Sequence, residues 1–360
     1  MSSLTFTPKI FSLSEENERI MVDELIKSKS DINVNNQLDS QIYELVKLSN
    51  PELVNNSSEL DEKFNSFLSS INIDQYGSWV YYPWNNNLIR TLPEKEFIQV
   101  RTIRNKFKIT QAEQNSLQNK CVGIVGLSVG QSVSLAIAME RIAGSIRIAD
   151  FDHLELGNMN RIRTGLHNIG LPKTIIVARE IAEIDPYIDI TCFHKGVNAE
   201  NIDSFFDFNG KKLDVLIDEC DSIDVKIALR EKAKKTKTAV LMDTSDRGML
   251  DVERFDLDAG MDLFHGLVTS DELERLKYAK TSEEKVDIVG KIINVETMSQ
   301  GLKNSMKEIG KTITTWPQLG SDVMLGGAIT AMMTRKVLLN KTKVSGRFFM
   351  DLDKIINDQV

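Results

Sequence analysis

The sequence predicts an α/β fold: a Rossmann-like, doubly wound and mostly parallel sheet, preceded by a small helical N-terminal region. Two observations carry this. From Lys120 onward, short continuous apolar runs alternate with segments of helical spacing, the pattern of a sheet covered on both faces. The first of these runs ends on a glycine turn, and the second ends on an aspartate, Asp150, 24 residues after Gly126.

The elements follow in order. Residues 1 to about 75 are polar, with Asn- and Ser-rich punctuation ("DINVNNQLDS", "NPELVNNSSELDE") around two amphipathic pieces, "ERIMVDELIKS" and "SQIYELVKL". The stretch Gly77–Pro93, "GSWVYYPWNNNLIRTLP", is aromatic and β-prone and then turn-like, and its two tryptophans read best as a packed joint between domains. Next come the strand "CVGIVGL", the helix "SVSLAIAMERIA", the strand "SIRIADF", the helix "KTIIVAREIAEI" and the strand "IDITCF". The series continues with the helix "ENIDSFF", the strand "LDVLIDEC", the helix "KIALREKAKKT" and the strand "TAVLMDTS". We divide the chain into an accessory region, 1–94, and an α/β domain, 95–360.

Composition removes several function classes. The net charge of -8 argues against a general nucleic-acid or anionic-membrane partner. The three cysteines (Cys121, Cys192, Cys220) lack CxxC spacing, and the four histidines are scattered, so no zinc or redox motif is visible. The longest uncharged apolar stretch, Val323–Thr334, has 12 residues, against roughly 18 or more for a bilayer span. A cytoplasmic, soluble protein with reduced thiols is expected.

Ligands of such sheets sit at the carboxyl ends of the strands, which singles out Gly126, Asp150, Asp221 and the loop after Met242. In "GLSVGQ", Gly126 fits the first glycine of a dinucleotide turn, but Ser128 and Gln131 stand at the second and third positions, with Gly130 between them. An acid at the end of the second strand is where a ribose hydroxyl is accepted, so a nucleotide is indicated without a choice between ATP and NAD.

The residues that follow make that choice. Asp150, Asp152, Asn158 and Arg161, with Lys173 opening the next helix, resemble the D-x-D, N-x-x-R and G-x-x-K pattern of the ThiF/MoeB-type adenylyltransferases, the superfamily of the ubiquitin-activating enzymes. "DECDS" (Asp218–Ser222) is similar to that family's D-x-x-D, "VRTIRNKFKIT" to its R-x-x-R segment, and "WPQLGSDVMLGGAITAMMTRKVLL" with "GRFFMDLD" to its closing helix and strand. The resemblance covers roughly residues 95 to 360. It is closest to the ThiF-like portion of bacterial nitroreductase-fused proteins, which share "GLSVG", "DTSDRG" and "WVYYPW"; no nitroreductase-sized region remains in these 360 residues.

The resemblance implies ATP- and Mg2+-dependent adenylation of a carboxylate, giving an acyl-adenylate and pyrophosphate. It places Gly126, Ser128 and Gly130 in the nucleotide loop, Asp150 on the ribose and Asp152 among the nucleotide-binding residues. Asn158, Arg161 and Lys173 fall on the triphosphate, and Asp221 on the metal. Arg104, with Arg101 as the alternative, matches an arginine that crosses a homodimer toward the γ-phosphate. Arg104, Arg161, Lys173 and Asp221 are thus the candidate catalytic set. Asp246 and Arg247, at the end of a strand, are candidates for substrate contact, with an Asp–Arg pair steadying a turn as the alternative. No cysteine lies after Cys220, so a thioester relay on this chain is not expected. The carboxylate would belong to a small carrier protein, a peptide or a small molecule. The competing readings are a degenerate dimeric scaffold, suggested by Ser128, Val129 and Gln131, and an NAD-dependent oxidoreductase.

Overall fold

The computed structural model describes residues 4–276, 288 and 290–356. It divides into two compact units. The first comprises residues 1–112 with 182–187, and the second comprises residues 113–181 and 188–360.

The first unit holds helices α1 (Glu16–Ser28), α2 (Leu38–Ser49), α3 (Ser57–Ser70) and α4 (Glu94–Arg101). It also holds a four-stranded sheet of β1 (Lys9–Ser12), β2 (Asn33–Asn36), β3 (Ser78–Tyr82) and β4 (Asn87–Thr91), in the order β1-β3-β4-β2. A largely helical reading of this region misses half of that sheet. The reason is local. β1 and β2 are four residues each, and β2 is Asn-Val-Asn-Asn, fully exposed and poor in strand-forming residues, so no period of two can be read from it. Trp79 lies in this unit's own core with Phe11, Leu13, Val22, Tyr81 and Leu88.

The second unit is the predicted α/β sheet. Its strands are β5 (Cys121–Val125), β6 (Ser145–Ala149), β7 (Asp189–Phe193), β10 (Val215–Asp218), β11 (Ala239–Asp243), β12 (Met249–Glu253) and β13 (Gly346–Phe349). A hairpin of β8 (Asp207–Phe208) and β9 (Lys211–Lys212) stands apart. The order is β13-β12-β11-β10-β5-β6-β7, parallel from β11 to β7, with β12 and β13 added antiparallel. All residues of β5, β6, β10 and β11 are buried, which is why these strands read as unbroken apolar runs rather than alternating ones. Ile124, Ile148, Leu216 and Leu241 are fully inaccessible, and burial of each contributes roughly 1.5–3 kcal/mol.

Helices α5 (Gln111–Leu117), α6 (Gly130–Glu140), α7 (Lys173–Ile184), α8 (Ile202–Phe206) and α9 (Ile223–Thr236) connect the strands. After them come α10 (Ser270–Leu276), α11 (Gln300–Met306) and α12 (Gly320–Leu338). α9 shows how the sequence sets a helix. Ser222 caps it, Asp224 sits in its first turn, Lys234 and Lys235 sit in its last, and Lys237 ends it with φ 55°. Long α12 packs on α6 and β11 because it presents glycines there: a Cβ on Gly327 would lie 2.7 Å from the Cβ of Ser132. No helix among the described residues is long and apolar enough to cross a membrane.

Candidate functional site

From β5 the chain steps to β6 and β7 on one side, then returns to build β10 and β11 on the other. The crossovers therefore diverge between β5 and β10, and a crevice opens beyond their carboxyl ends. The candidate residues of the second unit fall into two groups.

The first group surrounds the glycine turn. Gly126 has φ 89°, and a Cβ there would lie 2.4 Å from the Glu219 carbonyl oxygen. Glycine is demanded at this point by the backbone leaving β10, independently of any ligand. Gly130 opens α6, and a Cβ there would meet Ile124 Cγ2 at 2.8 Å, so this glycine lets the helix settle onto β5. Gln131, where the third glycine of a dinucleotide turn would stand, is buried and turned aside. Its amide donates to Arg163 O (2.9 Å) and Glu180 Oε2 (2.7 Å) and accepts from Arg163 N (2.8 Å). The Ser128 hydroxyl accepts from Arg161 Nε at 2.9 Å, which ties the loop to the polar segment after β6.

Asp150 sits at the end of β6, nearly buried, and accepts from Leu127 N and Asp152 N, both at 2.7 Å. Burial pushes its carboxyl pKa up, and the two N–H donors and the Lys173 charge oppose that shift. Lys173 is buried at the start of α7 and donates to Asp152 Oδ2 at 2.8 Å, while half of the Asp152 side chain remains exposed. Asn158 accepts from Glu155 N at 3.1 Å and closes a single helical turn. Arg161 is half-buried. Desolvation lowers its pKa, and the negative charge of Asp221 opposes that.

The second group lines a cavity of about 430 Å³ beyond β10 and β11. Val129, Asp221 and Asp246 reach it; Asp150, Asp152, Asn158, Arg161 and Lys173 are not among its described walls. Asp246 Oδ2 accepts from Ser299 N at 2.9 Å. Arg247 is held by Asp351 (2.6 Å), bonds the Thr297 carbonyl and stacks over Phe349, so it braces the segments around the cavity. Arg104 and Arg101 belong to the first unit. Arg101 donates to the buried Asp185 at 2.7 Å, while Arg104 is exposed.

Sequence reasoning passed over several residues of the cavity wall: Glu219, Lys226, Asp243, Trp316 and Asp322. Glu219 and Asp243 each end or follow a strand, which is the signal that was available. Asp243 N donates to Glu219 Oε1 at 3.2 Å. Burial raises both carboxyl pKa values: Asp243 to about 6, and Glu219 well above the usual range, helped by the Asp243 charge. Lys226 donates to the buried Asp218 at 3.2 Å, and Arg230 does so at 2.5 Å while also holding Glu253. Cys220 also lines the cavity, but burial and the adjacent Asp218 carboxylate keep its thiol protonated, and the thiol donates to Asp218 Oδ1 at 3.0 Å.

Residues 101–271 match the ThiF family. The chain is 39% identical over 285 residues to an uncharacterized protein of Mycobacterium tuberculosis, covering 79% of this chain and 39% of that protein. It is 24% identical over 208 residues to the tRNA threonylcarbamoyladenosine dehydratase of Bacillus subtilis, covering 57% of this chain and 72% of that enzyme. Among solved structures, the Escherichia coli tRNA N6-threonylcarbamoyladenosine dehydratase in complex with AMP aligns with a TM-score of 0.49 at 18% identity, covering 68% of this chain and 96% of that one.

Proposed function

We propose, from the premise that this chain carries a ThiF-family domain over residues 101–271, that it binds ATP with magnesium and adenylates a carboxylate. Attack of the carboxylate oxygen on the α-phosphorus forms the acyl–phosphate bond, and pyrophosphate leaves with the bonding pair. The observation that carries the reading is the link between Arg161 and Ser128. A half-buried guanidinium, placed by the segment after β6, is fixed against the loop at the start of α6, where the helix leaves its first N–H groups without intrahelical acceptors.

Catalysis of this kind is mainly positioning and charge neutralisation. In this reading Gly126, Ser128 and Gly130 supply the loop, and Asp150, with lone pairs beyond those its two N–H donors use, accepts a ribose hydroxyl. Asp152 holds Lys173 in place, and Lys173, Arg161 and Asn158 face the phosphates. Arg104, exposed where Arg101 is committed to Asp185, is the arginine offered to a second copy of the chain. Asp246 borders the substrate, and Arg247 shapes that border through Asp351 and Thr297.

Magnesium fits this arrangement as the counter-ion of the nucleotide. No group of three or more His, Cys, Asp or Glu among the described residues is placed to hold a metal unaided. Asp221, an exposed hard-oxygen donor on the cavity wall, suits a cation whose other ligands are phosphates and water. The protonated, hydrogen-bonded Cys220 is a poor nucleophile, which favours direct transfer of the acyl group over a thioester.

Calorimetric titration with ATP–magnesium tests the reading. Wild type is expected to bind, and Arg161→Ala and Asp221→Ala are each expected to weaken binding by roughly tenfold or more. Equal affinity in both variants, or no binding by wild type, overturns it. The second outcome would favour a scaffold that keeps the fold without turnover. That alternative has its own supporting observation: Lys173 is already neutralised by Asp152, and both Asp150 oxygens are already engaged.

A further inference from the structure

We propose that the acid adenylated by this chain is a small free carboxylic acid bearing one aromatic or branched apolar group, and that the cavity beyond β10 and β11 holds that group. Val129, at the N-cap of α6, and Asp221 both stand in the cavity wall. The cavity therefore reaches the residues that the adenylation reading sets beside the phosphates. An acid whose apolar end fills the cavity presents its carboxylate at that end. Its oxygen then attacks the α-phosphorus, and pyrophosphate leaves with the bonding pair. Turnover of the acid rests on the adenylation reading; occupation of the cavity does not.

Much of the wall is apolar, and it is assembled from separate stretches of chain. Met249 comes from β12, Ile292, Met298 and Leu302 from the stretch leading into α11, and Trp316 and Leu319 from the residues ahead of α12. Met249, Ile292 and Met298 are buried, whereas Trp316 is 39% and Leu319 60% exposed. Large apolar side chains left in water beside a pocket of buried ones are surface that an apolar ligand covers. The two thioethers adapt to the shape of a guest, and the indole offers a face or an edge to a ring.

The polar part of the wall is compatible with such a guest. Burial pushes the carboxyls of Glu219 and Asp243 toward their neutral forms, and Lys226 is paired with Asp218. The volume, about 430 Å³, suits a ring on a short linker rather than a folded carrier. A chain end made of glycines has no side chain to cover the methionine, leucine and tryptophan surface, so it gains nothing from this wall.

The test uses the full chain and two matched pairs, 3-phenylpropionate with propionate and 3-phenylpropanamide with propanamide, so that the ring varies while the head group stays fixed. In calorimetry without nucleotide, a phenyl compound is expected to bind about tenfold or more tightly than its partner, the gain from burying one ring. Leu302→Ala and Trp316→Ala, checked for folding by thermal melts, are each expected to weaken it about three- to tenfold. Binding is also expected to change tryptophan emission in wild type but not in Trp316→Phe, which keeps Trp79 and Trp84. Incorporation of labelled pyrophosphate into ATP then compares 3-phenylpropionate with a short peptide ending in two glycines, and the phenyl acid is expected to show the lower KM by about tenfold or more. The proposal is overturned if neither phenyl compound binds up to about 10 mM, if the ring brings no gain, if both folded alanine variants bind like wild type, if emission still changes in Trp316→Phe, or if the peptide has the lower KM. Should a variant fail to fold, the matched pairs on wild type decide the matter. Phenyl binding without exchange by any acid would count against adenylation and leave the apolar guest of the cavity standing; exchange with the peptide alone would do the reverse.

Discussion

At the scale of single residues, Asp243 is the side chain whose environment has the clearest measurable consequence. Burial, with the charge of Asp322 adding to it, raises its folded-state pKa to about 6, against an unfolded value of about 3.9. A carboxyl raised in the folded state is least costly when protonated. Its contribution to stability is full below about pH 4 and is lost as pH rises through about 6. Asp243→Asn keeps an acceptor for Ser245 N and removes the ionisation. The variant is expected to be more stable than wild type near pH 7.5 by about 1–3 kcal/mol, with the gap closing toward pH 4. Urea unfolding at the two pH values checks this, and a gap that does not change with pH would remove Asp243 as its source. Gly126 and Gln131 make a related point. Their identities invite a nucleotide-loop explanation, yet the backbone of Glu219 and the partners Arg163 and Glu180 already account for them.

At the scale of elements, β10, α9 and β12 are joined by one buried network. Arg230, fully inaccessible on α9, donates to Asp218 on β10 and to Glu253 on β12, and it stacks on Phe264 at 4.2 Å. Removing one member of such a network leaves buried charge without compensation. Arg230→Ala is expected to cost about 3–5 kcal/mol, read as a lower denaturant midpoint with an unchanged slope. A cost under about 1 kcal/mol would mean the network contributes little. β5, β6, β10 and β11 were legible because each is a short, largely apolar run with every residue buried. The network was not legible, because Asp218, Arg230 and Glu253 are far apart in the chain and only the packing of β10, α9 and β12 pairs them. β1 and β2 were lost for the opposite reason, being too short and too polar to show a period.

At the scale of the whole chain, ligand binding and stability are linked. If ATP–magnesium binds the native state alone, a concentration a hundred times the dissociation constant adds about 2.7 kcal/mol. A rise in melting temperature of several degrees is expected with ATP–magnesium. It should be largely absent in Arg161→Ala and retained in Asp246→Asn. Equal shifts in the two variants would place the nucleotide elsewhere. The chain spans 39% of the length of the Mycobacterium tuberculosis protein it resembles.

The sequence by itself determined the alternation of parallel strands and helices from β5 to β11, the glycine turn and the polar run from Asp150 to Lys173. These are local patterns, set by side-chain periodicity and turn chemistry within about 30 residues of one another. Only the tertiary structure decided that Arg161 reaches Ser128, that Arg247 is bound to Asp351, and that Glu219, Asp243, Asp246 and Asp322 share one cavity. The physical reason is that a parallel sheet sets strand ends side by side which its crossovers keep far apart in the chain. The burial and charge of a residue there depend on neighbours that no local pattern names.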